Sequence, residues 1–155
     1  MIKKNYLALF AKSFNWAGFF LPKNIYFDCS KLYAFCRVLD DLVDEKIDLE
    51  LRIERFGKIK DVFEKSYKQA SDDEILVDEN EYGSIVNNMI TIADNHNIKK
   101  IILDDLIEGV SSDLKSKVYL RSVKDLLVYS YRVAGTVGLM MAKILNVKDT
   151  RCLKG

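Results

Sequence analysis

Apolar side chains recur along most of this chain at steps of three and four residues, the spacing that places them on one face of an α-helix. In the stretch 48–70 the period is carried by Ile53, Phe56, Ile59, Phe63 and Tyr67. Similar periods, and Pro22 as a residue suited to a first helical turn, predict five helices. These run from Pro22 to about Asp44 and over 48–70, 82–95, 99–116 and 122–146.

The connections between these segments support the same class of fold. Residues 2–11 are expected to form a short apolar helix or an extended arm, and the acidic stretch 71–81 a solvated loop. No segment alternates apolar and polar residues as a strand would. The sequence therefore predicts a single all-α domain over residues 1–155, with its helices packed around one core.

The helix after Pro22 carries three aspartates near its end, in the stretch YAFCRVLDDLVDE that covers residues 33–45. Residues four apart share a helix face. One stripe is thus formed by Tyr33, Arg37, Asp40 and Asp44, with Asp41 at its edge, while Leu32, Phe35, Leu39 and Val43 fall on the core side. Carboxylates at this spacing repel one another, whereas Mg²⁺ is commonly held by one or two carboxylates and substrate phosphates. From these residues alone, a solvated acidic face and a magnesium–diphosphate site both stay open.

Composition excludes several classes of function. Lys and Arg total 24 against 23 for Asp and Glu, so the chain has no basic excess of the kind that binds nucleic acid. The only histidine, His96, lies in an Asn-His-Asn stretch typical of a helix end. Because the chain has a single histidine, catalytic triads and multi-histidine metal sites are excluded. Three cysteines, an odd number, favour a reducing compartment. Cys36 is expected to be a small core residue.

Two further helices carry glycines that need an explanation. The last predicted helix opens with Ser122 and Asp125, a capping-box-like start, and contains Gly135 and Gly138 in the stretch YSYRVAGTVG. A glycine inside a helix costs about 1 kcal/mol relative to alanine. Close helix packing and room for a long apolar ligand are both open as reasons. The preceding helix has Gly109 within LIEGVSSDL, beside polar residues.

Four stretches occur together in a fixed order: KSFNWAGFFLP (12–22), YAFCRVLDDLVDE (33–45), LIEGVSSDL (106–114) and YSYRVAGTVGLMM (129–141). In this order and spacing the chain resembles the squalene/phytoene synthase family, the head-to-head prenyl diphosphate synthases. The resemblance covers nearly the whole chain. The stretch VAGTVGLMM (133–141) resembles the corresponding sequence of phytoene synthases more than that of squalene synthases.

The resemblance implies an isoprenoid-synthase-type helical bundle around a deep apolar cavity, in which two prenyl diphosphates (geranylgeranyl or farnesyl diphosphate) join through a cyclopropyl-carbinyl diphosphate. Mg²⁺ at two aspartate-rich helices would assist diphosphate departure. By matched position, Asp40 and Asp44 would be Mg²⁺ ligands, supported by Asp41. The other implied site residues are Arg37 and Ser13 at the diphosphate, Tyr129 near the reacting carbons, Phe14, Val133 and Val137 along the tail channel, and Tyr33 as an aromatic face.

The chain also departs from the family pattern. Ala11 stands where the family often has a small hydroxyl residue, and no second aspartate-rich helix follows Gly138, where Asp149 stands alone. We therefore expect a bundle truncated at its C-terminus, inactive or nearly so by itself. Uncovered apolar helix faces would then favour self-association. Two alternatives are a non-catalytic relative that acts as an assembly factor and a plain helical interaction domain.

The expected location follows from the same observations. The longest apolar run, residues 133–141, falls well short of the roughly 20 residues that span a bilayer. We expect a cytoplasmic protein, and the lipidic substrates implied by the resemblance make peripheral contact with the inner membrane surface an expectation as well.

Overall fold

The computed structural model describes residues 20–71, 82–114 and 120–148, together with Trp16 and Gly18. Within these residues there are six α-helices and no strand, which confirms the all-α class. The helices are α1 (Lys23–Asp44), α2 (Leu49–Ser71), α3 (Gly83–Asn95), α4 (Lys100–Ser111), α5 (Val123–Ser130) and α6 (Thr136–Ile144). A 3₁₀ turn, Ser112–Leu114, follows α4, and a π-helical turn, Tyr131–Gly135, joins α5 to α6. The predicted arm at 2–11 and residues 72–81 of the predicted loop lie outside the described residues.

Helix α1 is the element around which the others pack, because α2, α3, α4 and α6 all contact it. Its core side is the one that the sequence predicts: Leu32, Phe35 and Leu39 are completely buried. Each contacting helix adds large buried side chains to the same core, among them Phe63 from α2, Met89 from α3, Leu103 from α4 and Met140 from α6. The polar stripe of α1 is thereby left on the side that the core does not cover.

The first turns of α2 correct one expectation. Phe56, Ile59 and Phe63 are buried as predicted, but Ile53 is 51% exposed. The reason is that the start of α2 meets the end of α1 through charged groups. Arg52 Nη1 donates to the carbonyl oxygen of Val43 at 2.7 Å, and the Arg55 guanidinium lies 2.6 Å from a carboxylate oxygen of Glu45. The arginine on the Val43 carbonyl supplies a partner to an orphan acceptor at the C-terminus of α1.

Asparagines end two of the helices. Asn97 after α3 and Asn146 after α6 have positive φ angles of 52° and 53°. Beyond them, Ile98 N donates to the carbonyl of Ala93 at 2.7 Å, and Val147 N to that of Ala142 at 3.0 Å, the six-residue closure of a Schellman motif. The helix end that the Asn-His-Asn stretch predicts is thus confirmed.

His96 and Ser122 have the structural roles that the sequence predicts. His96 Nε2 lies 2.9 Å from Asp28 Oδ2 and so ties the end of α3 to α1. Ser122 Oγ accepts from the backbone N–H of Asp125 at 3.1 Å, and the Asp125 carboxylate accepts from the N–H of Arg121. Both bonds cap the start of α5. None of the helices in the described part of the chain has the length and apolar character needed to cross a membrane.

Candidate functional site

The polar stripe of α1 lies at the surface of the bundle. Asp40, Asp41 and Asp44 are exposed, and Tyr33 is half-buried. Arg37 Nη2 lies 2.7 Å from Asp41 Oδ1, one helical turn further along. This ion pair balances the charge of Asp41, the aspartate at the edge of the stripe.

Asp40 lies where negative charge accumulates. Partial loss of hydration raises the pKa of its carboxyl, and the charge of Asp44 raises it further. Arg37 opposes this rise, while Asp41 and Asp113 add to it. A carboxyl surrounded in this way favours an added cation, since a cation would compensate several of these charges together.

A groove beside α1 contains part of the stripe. It has a volume of about 470 Å³, within the range of ligand pockets. Five of its lining residues belong to α1, and Glu45 follows directly after that helix. Arg55 of α2 and Tyr82 complete the lining, in which the residues of α1 are Arg37, Val38, Asp41, Leu42 and Asp44. The groove therefore offers two guanidinium groups and three carboxylates to a polar ligand.

Asp113, in the 3₁₀ turn after α4, is a further carboxylate whose charge acts on Asp40. Tyr129 on α5 donates its hydroxyl hydrogen to this carboxylate, with distances of 2.9 Å to Oδ1 and 3.2 Å to Oδ2. The pKa of Tyr129 is raised first by desolvation and then by Asp113, and the charge of Asp40 contributes. Asp40, Asp113 and Tyr129 thus lie close enough together for their charges to interact.

Sequence reasoning did not single out Asp113, although a signal was present. Asp113 follows Gly109 by four residues and Leu106 by seven, so helical spacing places it on the inward stripe of α4. Both Leu106 and Gly109 are buried. A carboxylate that continues a buried stripe needs a partner, and Tyr129 is that partner.

The helix that carries Tyr129 changes its period within the site. Residues 131–135 form the π-helical turn, and Thr136 N donates to the carbonyl of Tyr131, five residues back. Thr136 is fully buried, and its hydroxyl donates to the carbonyl of Arg132 at 2.7 Å. The predicted helix 122–146 is confirmed in extent, but the π turn rotates α5 relative to α6. Turns of this kind frequently occur at functional sites.

The space around the helical glycines differs, so close packing accounts for glycine at some of these positions and not at others. A Cβ on Gly109 would lie 2.6 Å from Arg132 Cβ and 3.1 Å from its carbonyl carbon, so close packing requires glycine there. The three atoms nearest to a Cβ on Gly135 would all belong to the Tyr131 side chain, at 3.1 Å and beyond. A Cβ on Gly138 would have no atom of another part of the described structure within 4 Å, so close packing does not explain that glycine.

The remaining predicted residues are distributed as follows. Val133 packs against α4, since its Cγ1 would lie 3.1 Å from a Cβ on Gly109. Val137 is half-buried and packs against the core. Ser13 and Phe14 lie outside the described residues. Cys36, on α1, has its pKa raised to about 12 by burial and then by the charge of Asp40, as befits a neutral thiol packed against the core.

The carboxylates of α1 form an incomplete set of ligands for a metal ion. Among the described residues, no three carboxylate, histidine or thiol groups gather closely enough to hold a metal by themselves. Two carboxylates one helical turn apart, Asp40 and Asp44, are the donor set that Mg²⁺ takes when phosphate oxygens and waters supply its other ligands. The pair therefore fits a metal that arrives together with a phosphate-bearing ligand.

The sequence matches a known protein family over most of its length. The sequence model of the family described as squalene/phytoene synthase matches residues 7–153. The chain is 32% identical over 146 residues to a 15-cis-phytoene synthase of Paracoccus sp., covering 90% of this chain and 44% of the relative. It is 32% identical over 143 residues to a phytoene synthase of Cereibacter sphaeroides, covering 88% of this chain and 38% of the relative.

A solved structure supports the same assignment. The crystal structure of a dehydrosqualene synthase in complex with ligand superposes with a TM-score of 0.66 and 26% sequence identity, over 89% of this chain and 44% of that one. The chain thus spans less than half the length of these relatives. On the match over residues 7–153, the chain belongs to the squalene/phytoene synthase family.

Proposed function

We propose that this chain supplies the first aspartate-rich helix of a prenyltransferase that joins two prenyl diphosphates head to head, with geranylgeranyl diphosphate to phytoene favoured. Members of this family act on prenyl diphosphates and generally use a divalent metal ion. The observation that carries the proposal is the accumulation of carboxylates around Asp40, whose pKa is raised by Asp44, Asp41 and Asp113 as well as by desolvation. The phytoene synthase relatives favour phytoene as the product.

Each site residue has a role in this proposal. Asp40 and Asp44 would hold Mg²⁺, which when bound neutralises the diphosphate that leaves. Arg37, together with Ser13, would bind diphosphate oxygens, and Asp41 would keep the Arg37 side chain oriented through their 2.7 Å contact. The groove that Arg37, Asp41 and Asp44 line is large enough to hold the diphosphate in this proposal.

The hydrocarbon part of the substrate needs a different environment. An allylic cation survives only where water is excluded, and the aromatic faces of Tyr33, Phe14 or Tyr129 could each stabilise it by about 0.5–2 kcal/mol. Val133 and Val137 would line the channel for the prenyl tail. The two prenyl chains would first join as a cyclopropyl-carbinyl diphosphate and then rearrange to the carbon–carbon linked product.

The length of the chain limits what it would do by itself. It spans 44% of the Paracoccus relative, and the activity of such relatives belongs to their whole length. We propose that the second aspartate-rich helix implied by the family must be supplied in addition, and that the 155 residues alone turn over little or no substrate. Incubation with geranylgeranyl or farnesyl diphosphate and Mg²⁺ tests this, and efficient formation of a C40 or C30 product would contradict it.

The binding role can be tested without turnover. Isothermal titration calorimetry would measure how Mg²⁺ and farnesyl S-thiolodiphosphate, an analogue that ionises slowly, bind to the chain. The double variant Asp40→Asn/Asp44→Asn should lose at least tenfold in affinity, because each carboxylate removed is a proposed metal ligand. Its stability should be kept or slightly raised, since a like-charge pair disappears.

The matched control removes two carboxylates elsewhere. Asp61 on α2 and Asp94 on α3 are both exposed, so the variant Asp61→Asn/Asp94→Asn makes the same change in net charge. Binding by this control should equal that of the unchanged chain. Equal binding by the Asp40→Asn/Asp44→Asn variant would refute the proposed site and favour the alternative of a non-catalytic relative that acts as a helical interaction or assembly factor.

A further inference from the structure

Within the described part of the chain, the Tyr129 hydroxyl is hydrogen-bonded to one side chain, the carboxylate of Asp113. Helix α5, which carries it, has no buried residue within its described span Val123–Ser130. Tyr129 itself is half-buried. The bond from the Tyr129 hydroxyl to Asp113, 2.9 Å to Oδ1 and 3.2 Å to Oδ2, links α5 to the 3₁₀ turn after α4.

The turn that carries Asp113 is itself well held. Ser112 Oγ donates to the carbonyl of Gly109 at 2.6 Å, and Ser111 Oγ donates to that of Glu108 at 2.8 Å. Leu114, on the other side of Asp113, packs against the hydrophobic core. The acceptor is therefore fixed from both sides, while the donor lies on a helix that lacks buried contacts of its own.

Asp113 also lies within reach of the carboxylates of α1, since its charge acts on Asp40. A further negative charge at this place is unfavourable unless a strong interaction offsets it. A hydrogen bond to an ionised acceptor is such an interaction, and it is shorter and stronger than one between neutral groups.

We propose that Asp113 is a positioning residue of the candidate site, which holds the Tyr129 hydroxyl and thereby fixes the aromatic ring beside the aspartates of α1. The inference rests on the proposed function and deepens it, because it assigns to Asp113 a task in presenting Tyr129 to a prenyl diphosphate. Asp113 acts through Tyr129 and is not a metal ligand.

A first measurement concerns the free protein and needs no ligand. NMR of a chain labelled at the tyrosine Cζ carbons would follow Tyr129, its signal assigned by its loss in Tyr129→Phe. In the unchanged protein this signal should titrate at higher pH than those of exposed tyrosines, because desolvation and the charges of Asp113 and Asp40 raise the pKa. Asp113→Ala should shift the signal and lower its midpoint.

A second measurement concerns ligand binding, with Mg²⁺ and farnesyl S-thiolodiphosphate as the probe. Asp113→Ala and Tyr129→Phe should each weaken binding by about tenfold, the factor expected for one hydrogen bond to a charged group. The double variant should be no weaker than either single variant, because both remove the same contact. Asp113→Asn keeps an oxygen acceptor and should recover most of the loss.

Two controls complete the experiment. Tyr131→Phe changes a neighbouring tyrosine that is 42% exposed, and Asp61→Ala removes an exposed carboxylate on α2. Neither should change affinity. An unchanged Tyr129 signal in Asp113→Ala, multiplicative losses in the double variant, or an Asp113→Asn variant as weak as Asp113→Ala would each overturn the positioning role.

The two proposals fail in different ways. If the unchanged chain does not bind the probe, the proposed function falls and the positioning role with it, whatever the NMR signal shows. If the unchanged chain binds and the Asp113 variants bind equally well, the proposed function stands and only the role of Asp113 is refuted.

Discussion

The pKa of Asp40 depends on the charges that surround its carboxyl group. Its pKa is raised in the folded chain by desolvation and by Asp44, with smaller contributions from Asp41 and Asp113. A raised pKa means that the folded state binds the proton more strongly than the unfolded state does. Stability therefore decreases as the pH rises from the ordinary aspartate range through the raised value.

We expect Asp40→Asn to remove this loss. In metal-free buffer at pH 7 the variant should be more stable than the unchanged chain by about 0.2–0.5 kcal/mol, the size of one like-charge pair on a helix. The difference should vanish when the pH falls below the ordinary aspartate range. Urea unfolding at several pH values measures this difference in the free energy of unfolding, with Asp61→Asn as the control. If Asp40→Asn were less stable than the unchanged chain at pH 7, the argument would be contradicted.

The π-helical turn is the element-scale feature that shapes the site. It packs against α4 at Gly109, which presents no side chain to Arg132. Thr136 then satisfies the Arg132 carbonyl at 2.7 Å within the turn. The extra residue in the turn rotates α5, and with it Tyr129, relative to the buried face of α6.

Gly109→Ala should therefore disturb more than local packing. The added Cβ would lie 2.6 Å from Arg132 Cβ and 3.1 Å from a backbone atom, so the two elements must move apart. We expect a loss of about 1–3 kcal/mol, as for other overpacked sites, together with a shift of the Tyr129 NMR signal.

Gly57 on α2 provides the matched control for this substitution. A Cβ added to Gly57 would have no atom of another part of the described structure within 4 Å. Gly57→Ala should therefore stabilise the chain by up to about 1 kcal/mol, because alanine has the higher helix propensity. Thermal or urea unfolding of both variants measures the contrast. A Gly109→Ala variant as stable as Gly57→Ala would show that the close approach at Gly109 does not constrain the turn.

Elements of this fold were predictable to different degrees, for a physical reason. Hydrophobic period and capping residues are local, so α1, α3 and the cap at Ser122 lie where the sequence places them. The π turn packs against Gly109, more than twenty residues earlier in the chain, and a local hydrophobic period does not report such a contact. Helical spacing can mark Asp113 as a residue of the inward stripe, but it cannot identify the partner Tyr129, which lies sixteen residues away on another helix.

At the scale of the whole molecule, the apolar surface is unevenly distributed. Helix α5 exposes Val123 by 74%, Leu127 by 64%, Leu126 by 46% and Val128 by 44%. Four exposed aliphatic side chains on one eight-residue helix are more than scattered surface residues, and contiguous patches of this kind mark interaction sites. Among the described residues, none of those that form the core belongs to α5.

We propose that in dilute solution two copies of this chain bury the α5 surface against each other, as uncovered helix faces require a partner. Sedimentation velocity should show association that increases with concentration. Val123→Glu/Leu127→Glu should reduce it strongly, because each charge would have to be desolvated in the interface. Thermal stability of the monomer should hardly change, since neither side chain is buried.

Ile101→Glu, at a position 59% exposed on α4, is the control and should associate like the parent. A parent that remains monomeric at all concentrations would refute self-association through α5.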